Sequence, residues 1–223
     1  MSEGLSINQN VNTEVKSHTH VEVLPILKTA RLYLTLLLPE QYALLAAYYQ
    51  DNQSHLAPWE PKRSVDYFID ANIQTRLNDN LRAYFQEKAV HWVAFQHQDV
   101  SSTNRLNQGL LSLSLDAKVI GVCNFTNIIQ GPFQACHLGY SLAAAYQEQG
   151  YMQEMLAASI AYAFDELKLH RIMANYLPAN TKSAVLLNKL GFEKEGLARD
   201  YLHIAGKWQD HVLTSKINNK SAP

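Results

Sequence analysis

The sequence predicts a single α/β domain built on a mixed, mostly antiparallel sheet of six to seven strands flanked by helices. Three observations lead there. Runs with two-residue alternation and runs with helical periodicity follow one another in the order βαα, three strands, then αβαββ. The 223 residues are 47% apolar and 17% charged, which suits one domain with an ordinary core. The turn from Tyr146 to Gly150 leaves a strand-like run and opens the clearest amphipathic helix of the chain.

The elements can be justified in order. Residues 1–22 are rich in Ser, Asn, His and Thr and read as a disordered leader, without the apolar stretch of a signal peptide. The domain is expected over 23–217 and a frayed tail over 218–223. Arg31 to Leu36 alternates and is a first strand. Pro39 starts a helix through Tyr49, with Tyr42, Leu45, Ala46 and Tyr49 on its apolar face. In Pro58-Trp59-Glu60-Pro61 two prolines fix the backbone around a large aromatic. A longer helix follows over Val65 to Gln86, then strands over Val90 to Gln96 and Val119 to Ile129. Between them, 98–107 is polar and aperiodic, a surface excursion. After Gly131-Pro132 comes a strand from Gln134 to Leu142. The helix after Gly150 gathers Met152, Met155, Leu156, Ser159, Ile160, Ala163 and Leu167 on one face. A strand over His170 to Leu177, a helix over Lys182 to Leu190 and two strands flanking Ala205-Gly206 complete the chain.

Composition excludes several function classes. Nineteen Lys and Arg against 20 Asp and Glu give a net charge of −1, without the basic footprint of a nucleic-acid binder. No apolar run spans a membrane: the most apolar region, 24–49, is broken by Lys28, Arg31 and Glu40. Cys123 and Cys136 would be bridged only in an oxidising compartment; without an export signal, buried thiols and a cytoplasmic location are expected. The histidines lack metal-ligand spacing, so no metal is expected.

A helix opening at Gly150 directs unpaired N–H groups and the positive end of its dipole at one spot, which suits a phosphate. About thirty residues on, Asn180-Thr181-Lys182-Ser183 opens a second helix that ends in Gly191-Phe192. Gly139 within a strand marks either a bulge that splays the strand from its neighbour or a simple packing position.

These blocks resemble the GNAT superfamily of acetyl-CoA N-acetyltransferases: Gln147 with Gly150, then Asn180, Ser183, Gly191 and Phe192. Within it, the chain is most similar to the RimJ-type ribosomal-protein-alanine N-acetyltransferases. That likeness lies in Pro58-Trp59-Glu60-Pro61, Ile120-Gly121-Val122, Leu138-Gly139-Tyr140-Ser141, His170 to Tyr176, Gly191 to Gly196 and Asp210-His211-Val212-Leu213. The resemblance implies an enzyme that uses acetyl-CoA as cosubstrate and acetylates the N-terminal alanine amine of small-subunit ribosomal protein number five. It implies that Tyr140, Ser141, Leu142, Gln147, Glu148, Gln149, Gly150, Tyr151, Met152 and Asn180 bind the cofactor. Trp59, Tyr201 and Asp210 are expected to line the peptide side. Met152 and Glu148 depart from the superfamily pattern, and the Glu148 carboxylate is expected to point into solvent, away from the pyrophosphate.

The implied reaction is direct attack of a neutral amine on the thioester. An α-amine, with a pKa of about 7.7–8.0, is roughly a tenth uncharged near neutrality, so a weak base suffices. His137 is the first candidate base and Glu60 the second, each with a structural alternative, packing or helix capping. Leu187 occupies the position where many superfamily members carry a proton-donating tyrosine, which leaves Ser183 as donor unless it merely caps its helix. The other readings are a small-amine acetyltransferase and a non-catalytic acyl-CoA-binding ribosome assembly factor. The partner is then a ribosomal-protein N-terminus or similar peptide amine, and the protein is a monomer or homodimer.

Overall fold

The computed structural model describes residues 24–102 and 111–219. A sheet of eight strands organises the domain, one more than the upper end of the expected range. Its strands are β1 (Leu27–Lys28), β2 (Leu32–Thr35), β3 (Val90–Gln96), β6 (Gly121–Ile129), β7 (Ala135–Leu142), β8 (Arg171–Tyr176), β9 (Glu193–Ile204) and β10 (Lys207–Ile217), in spatial order β1-β2-β3-β6-β7-β8-β10-β9. The additional strand is β1, two residues long and too short to show alternation. All pairings are antiparallel except β7 with β8. The expected excursion begins as a small ribbon, β4 (Val100–Ser102) against β5 (Ser112–Leu113); its remainder lies outside the described residues, as does the leader.

Helices cover both faces. On one lie α1 (Tyr42–Asp51), the short α2 (Gln53–Leu56) and α3 (Asp70–Phe85); on the other lie α4 (Tyr151–Asp165) and α5 (Thr181–Lys189). Alternation along the strands sorts the core in two. Trp92, Ala94, Cys123, Phe125, Cys136 and Leu138 pack with Met155, Leu156, Ile160 and Ala163 of α4. Val93, Phe95 and Val122 pack with Leu45, Ala46, Ile73 and Leu77 of α1 and α3. The apolar face expected for α4 is buried from Met152 to Ala163, whereas Leu167 lies beyond the helix end. Both cysteines are buried free thiols, and burial pushes each up to about 12. No described helix is long and apolar enough to cross a membrane.

Two features place the site. β7 and β8 pair in parallel at only three positions, Ala135 with Arg171, Cys136 with Ile172 and His137 with Met173, and then part. Of the two readings of Gly139, the bulge is absent, because β7 stays in register with β6 from His137 to Leu142. The splay lies entirely on the β8 side. Meanwhile α5 is fixed at its C-terminal end: Gly191 takes φ +80°, and Lys216 Nζ donates to Leu190 O at 2.7 Å. Asn218, expected in the tail, is anchored instead, its N–H donating to His170 O at 2.8 Å.

At Gly191 an added Cβ would stand 2.7 Å from Lys216 Nζ. Gly191→Ala is expected to destabilise the protein by about 1–2 kcal/mol, the cost of left-handed backbone for a non-glycine residue, seen as a lowered thermal midpoint.

Candidate active site

The parted strands open into a cavity of ≈ 540 Å³ between the end of β7, the N-terminus of α5 and the turn after α2. Ten of the residues singled out in the sequence line it: Trp59, Glu60, Tyr140, Ser141, Leu142, Gln147, Glu148, Met152, Asn180 and Ser183. It adjoins a second cavity of ≈ 400 Å³ that shares Leu142, Glu148, Met152 and Lys182 and adds Gly150 and Lys189.

The chemistry of the walls fits a nucleotide-linked thioester. Gly150 is the N-cap of α4 at φ +78°, and no side chain caps that terminus. The first-turn N–H groups therefore retain the capacity to bind an anion. Gly150 is required by its left-handed backbone more than by a close approach, since an added Cβ would meet nothing nearer than Arg31 Nη2 at 3.5 Å. Glu148, also left-handed at φ 63°, is exposed but does not leave the cavities: it lines both, and its Oε1 accepts from Lys182 Nζ at 3.0 Å, which sets a counter-charge beside the carboxylate. Lys182 also donates to Gln147 Oε1 at 2.9 Å, so a cation bridges the loop and α5.

A clamp behind the loop holds it. Arg31 donates through Nε to Glu154 Oε2 at 2.7 Å and through Nη1 to Gln149 O at 2.9 Å, and its guanidinium lies 4.2 Å from the centre of the Tyr151 ring. Glu154 Oε1 accepts from Thr29 Oγ1 and the Arg31 N–H, at 2.6 and 2.7 Å. Burial would raise the Glu154 pKa, but these donors outweigh it and hold the carboxyl below its usual value. Tyr151, expected to touch the cofactor, thus faces the opposite way, its hydroxyl accepting from Gln96 Nε2 at 2.7 Å. The Gln149 side chain is likewise turned back, donating to Ala145 O.

Contacts from α1 and α2 set the other wall. Tyr48 Oη and Ser141 Oγ are 2.8 Å apart, Asn52 Oδ1 accepts from the Ala144 N–H at 2.9 Å, and His55 Nε2 lies 2.8 Å from Gln147 Nε2. The turn carrying Trp59 and Glu60 is fastened to the β9–β10 hairpin by Ala205 N–H donating to Glu60 O at 3.0 Å. Glu60 is half-buried, and burial raises its pKa despite Arg63 at 3.6 Å. Asn180 caps α5, its Oδ1 accepting from the Ser183 N–H at 3.1 Å, so Ser183 is not the cap. The Tyr140 hydroxyl is buried without a well-formed hydrogen bond; burial pushes it up to about 12 against a weaker opposing influence of the nearby Ser183.

Besides Gln149 and Tyr151, three expected site residues lie off the cavity walls. His137 is the last residue of β7 paired with β8, just before the strands part, and its Nδ1 is buried without a partner. Burial lowers its pKa and favours the neutral ring. Asp210 sits at a bulge where the β9–β10 register slips, and its Oδ1 accepts from the N–H of Asp200, itself at φ 46°. Tyr201 points at Asn175, whose Nδ2 donates to its hydroxyl at 3.2 Å. Conversely, His55, Lys182 and Lys189 line the cavities without having been singled out. Lys182 stood inside the recognised Asn180 to Ser183 block, so its basic charge beside a phosphate-binding turn was the available signal.

The acetyltransferase (GNAT) domain model matches residues 31–193. The ribosomal protein uS5-alanine N-acetyltransferase of Escherichia coli (strain K12) is 40% identical over 189 residues, covering 85% of this chain and 89% of that protein. The crystal structure of the ribosomal-protein-S5-alanine acetyltransferase from Vibrio fischeri has a TM-score of 0.76 at 36% identity, over 89% of this chain and 100% of that one. Mycobacterium smegmatis RimJ in complex with CoA-disulfide shares the fold, with a TM-score of 0.73 at 22% identity, over 92% and 91% of the two chains.

Removing the clamp should loosen the anion cradle without touching the reacting atoms. Arg31→Ala is expected to raise KM for acetyl-CoA about tenfold, in line with losing hydrogen bonds between charged groups, while kcat changes far less. Steady-state kinetics with varied acetyl-CoA checks this; an unchanged KM would contradict the clamp.

Proposed function

Because the chain belongs to the acetyltransferase (GNAT) domain family, we propose that it acetylates the N-terminal alanine amine of ribosomal protein uS5 at the expense of acetyl-CoA. The observation that carries the acceptor is the 40% identity, over 85% of the chain, to the Escherichia coli enzyme of that specificity. The cavity supports it by joining an uncapped helix terminus at one end to a half-buried carboxylate beside an exposed tryptophan at the other. A protein that modifies ribosomal proteins works in the cytoplasm.

The thioester supplies an acyl carbon open to attack by an amine and a thiolate leaving group. The chain's part is to bind, orient and move protons. The α4 terminus with Lys182 and Lys189 takes the phosphates. The backbone of β7 beyond His137, without a strand partner on the β8 side, offers its N–H and C=O groups to the pantetheine amides. Glu60 accepts the proton that the amine loses as its nitrogen bonds to the acyl carbon, directly or through one water. Its raised pKa makes it a stronger base than an ordinary glutamate. As the carbon–sulfur bond breaks, the sulfur takes a proton from Tyr140, which stays protonated throughout the working range, with Ser183 beside it. His137 stands away from the cavity wall and takes no part in these proton transfers.

The mouth beside Glu60 carries Lys62 and Arg63, a poor surface for a polyamine, and this favours a peptide over a small polycationic amine.

Three results are expected from kinetics on Ala-first peptides. Glu60→Gln lowers kcat about 100-fold, a typical general-base contribution. The base must be ionised, so wild-type activity falls as pH drops through the Glu60 pKa, above the ordinary glutamate value; Glu60→Gln removes that limb and His137→Ala keeps it. Tyr140→Phe lowers kcat by a comparable factor, and Tyr140 contributes no basic limb below about pH 10, since its pKa is about 12. A wild-type pH profile in Glu60→Gln would overturn the base assignment.

A further inference from the structure

On the sheet face covered by α1 and α3 lies another cavity, of ≈ 180 Å³, which shares no residue with the wall of the cofactor cavity. Arg63 and Arg76 stand on it, and no carboxylate does. Both guanidinium groups pack on the ring of Tyr67, with Cζ 4.4 Å from its centre for Arg63 and 3.7 Å for Arg76. Arg63 has Glu60 as a partial counter-charge at 3.6 Å. Arg76 has none among the described residues. It donates through Nη1 to Tyr67 O at 2.7 Å and keeps Nη2 buried without a partner. A guanidinium withdrawn from water with a donor unmet costs stability, and the deficit is repaired when an anion arrives.

The cavity is connected to the chemistry. A further cavity of ≈ 350 Å³ shares Tyr49 and Arg63 with it, and Leu56 and Glu60 with the cofactor cavity. Glu60, Arg63, Tyr67 and Arg76 therefore form an unbroken series of contacts leading away from the proposed base. An extended peptide advances about 3.3–3.6 Å per residue, so an acceptor whose amine stands at Glu60 brings its next few side chains along that series.

We propose that Arg63 and Arg76 form a carboxylate subsite, which takes an Asp or Glu side chain a few residues after the amine that is acetylated. Two arginines, of which only Arg63 has an acid near it, Glu60 at 3.6 Å, suit a carboxylate, whose two oxygens match the guanidinium fork. The proposal rests on the reading of the chain as an N-terminal acetyltransferase and adds the acceptor feature by which it selects.

The test uses the full chain, acetyl-CoA and Ala-first peptides that differ only in carrying Glu or Gln at one of positions two to six. Wild type is expected to prefer Glu at one position by about tenfold in kcat/KM, mostly through KM, the scale of a charged hydrogen bond. Arg76→Gln is expected to bring that Glu-to-Gln ratio close to one. The ratio is taken within one preparation and is insensitive to the folded fraction; should Arg76→Gln yield no active protein, the same loss is expected in Arg63→Gln. Equal rates on Glu and Gln peptides at every position in wild type, or a preference that survives both substitutions, would overturn the subsite alone. No turnover of any Ala-first peptide would overturn the acceptor reading and the subsite together.

Discussion

The site exists because β7 and β8 stay paired for only three residues. Parallel strands normally continue their ladder until one of them ends, and unpaired backbone inside a domain is costly. Here both strands run on, β7 to Leu142 and β8 to Tyr176, with the gap between them occupied by neither. The gap leaves polar backbone facing a cavity and delivers the N-termini of α4 and α5, which follow β7 and β8 in the chain, to its edges. It is a ready receptor for an extended, amide-bearing ligand with an anion at one end.

Holding the gap open requires rigid walls, and each wall is fixed by polar contacts between elements distant in sequence. Arg31 and Glu154 fasten the loop at Gly150 to the start of β2. Tyr48, Asn52 and His55 fasten the region from Ser141 to Gln147 to α1 and α2. Lys216 fastens the C-terminus of α5 to β10. Such contacts contribute modestly each, but together they fix where the Gly150 loop, Glu60 and Ser183 stand relative to one another, on which positioning catalysis depends.

What was legible in the sequence follows from what is local. The period of α4, the prolines around Trp59 and the glycine that opens α4 are recorded in neighbouring residues, and those elements fell where expected. Ten residues of the cavity wall could be named because each belongs to a short block that resembles a family pattern. The failures are tertiary. Asp210, a substrate contact by sequence pattern, is turned onto the Asp200 amide by a register slip between β9 and β10, and nothing in either strand's own sequence announces the slip. His137 was placed on the right strand, but the strands part immediately after it. Gln149 and Tyr151 adjoin Gly150 and keep their amides in the cradle, but their side chains answer to Ala145 and Gln96. The stack of Arg63 and Arg76 on Tyr67 joins the turn after α2 to α3 and could be seen only once the fold had brought them together.

The central claim is that the open flank of β7 and the terminus of α4 together hold acetyl-CoA. Amide hydrogen exchange with and without CoA tests it most directly. Slowed exchange is expected at the amides of 139–142 and 147–152, with little change in the ladder between β6 and β3. Unchanged exchange in both segments under saturating CoA would contradict the account.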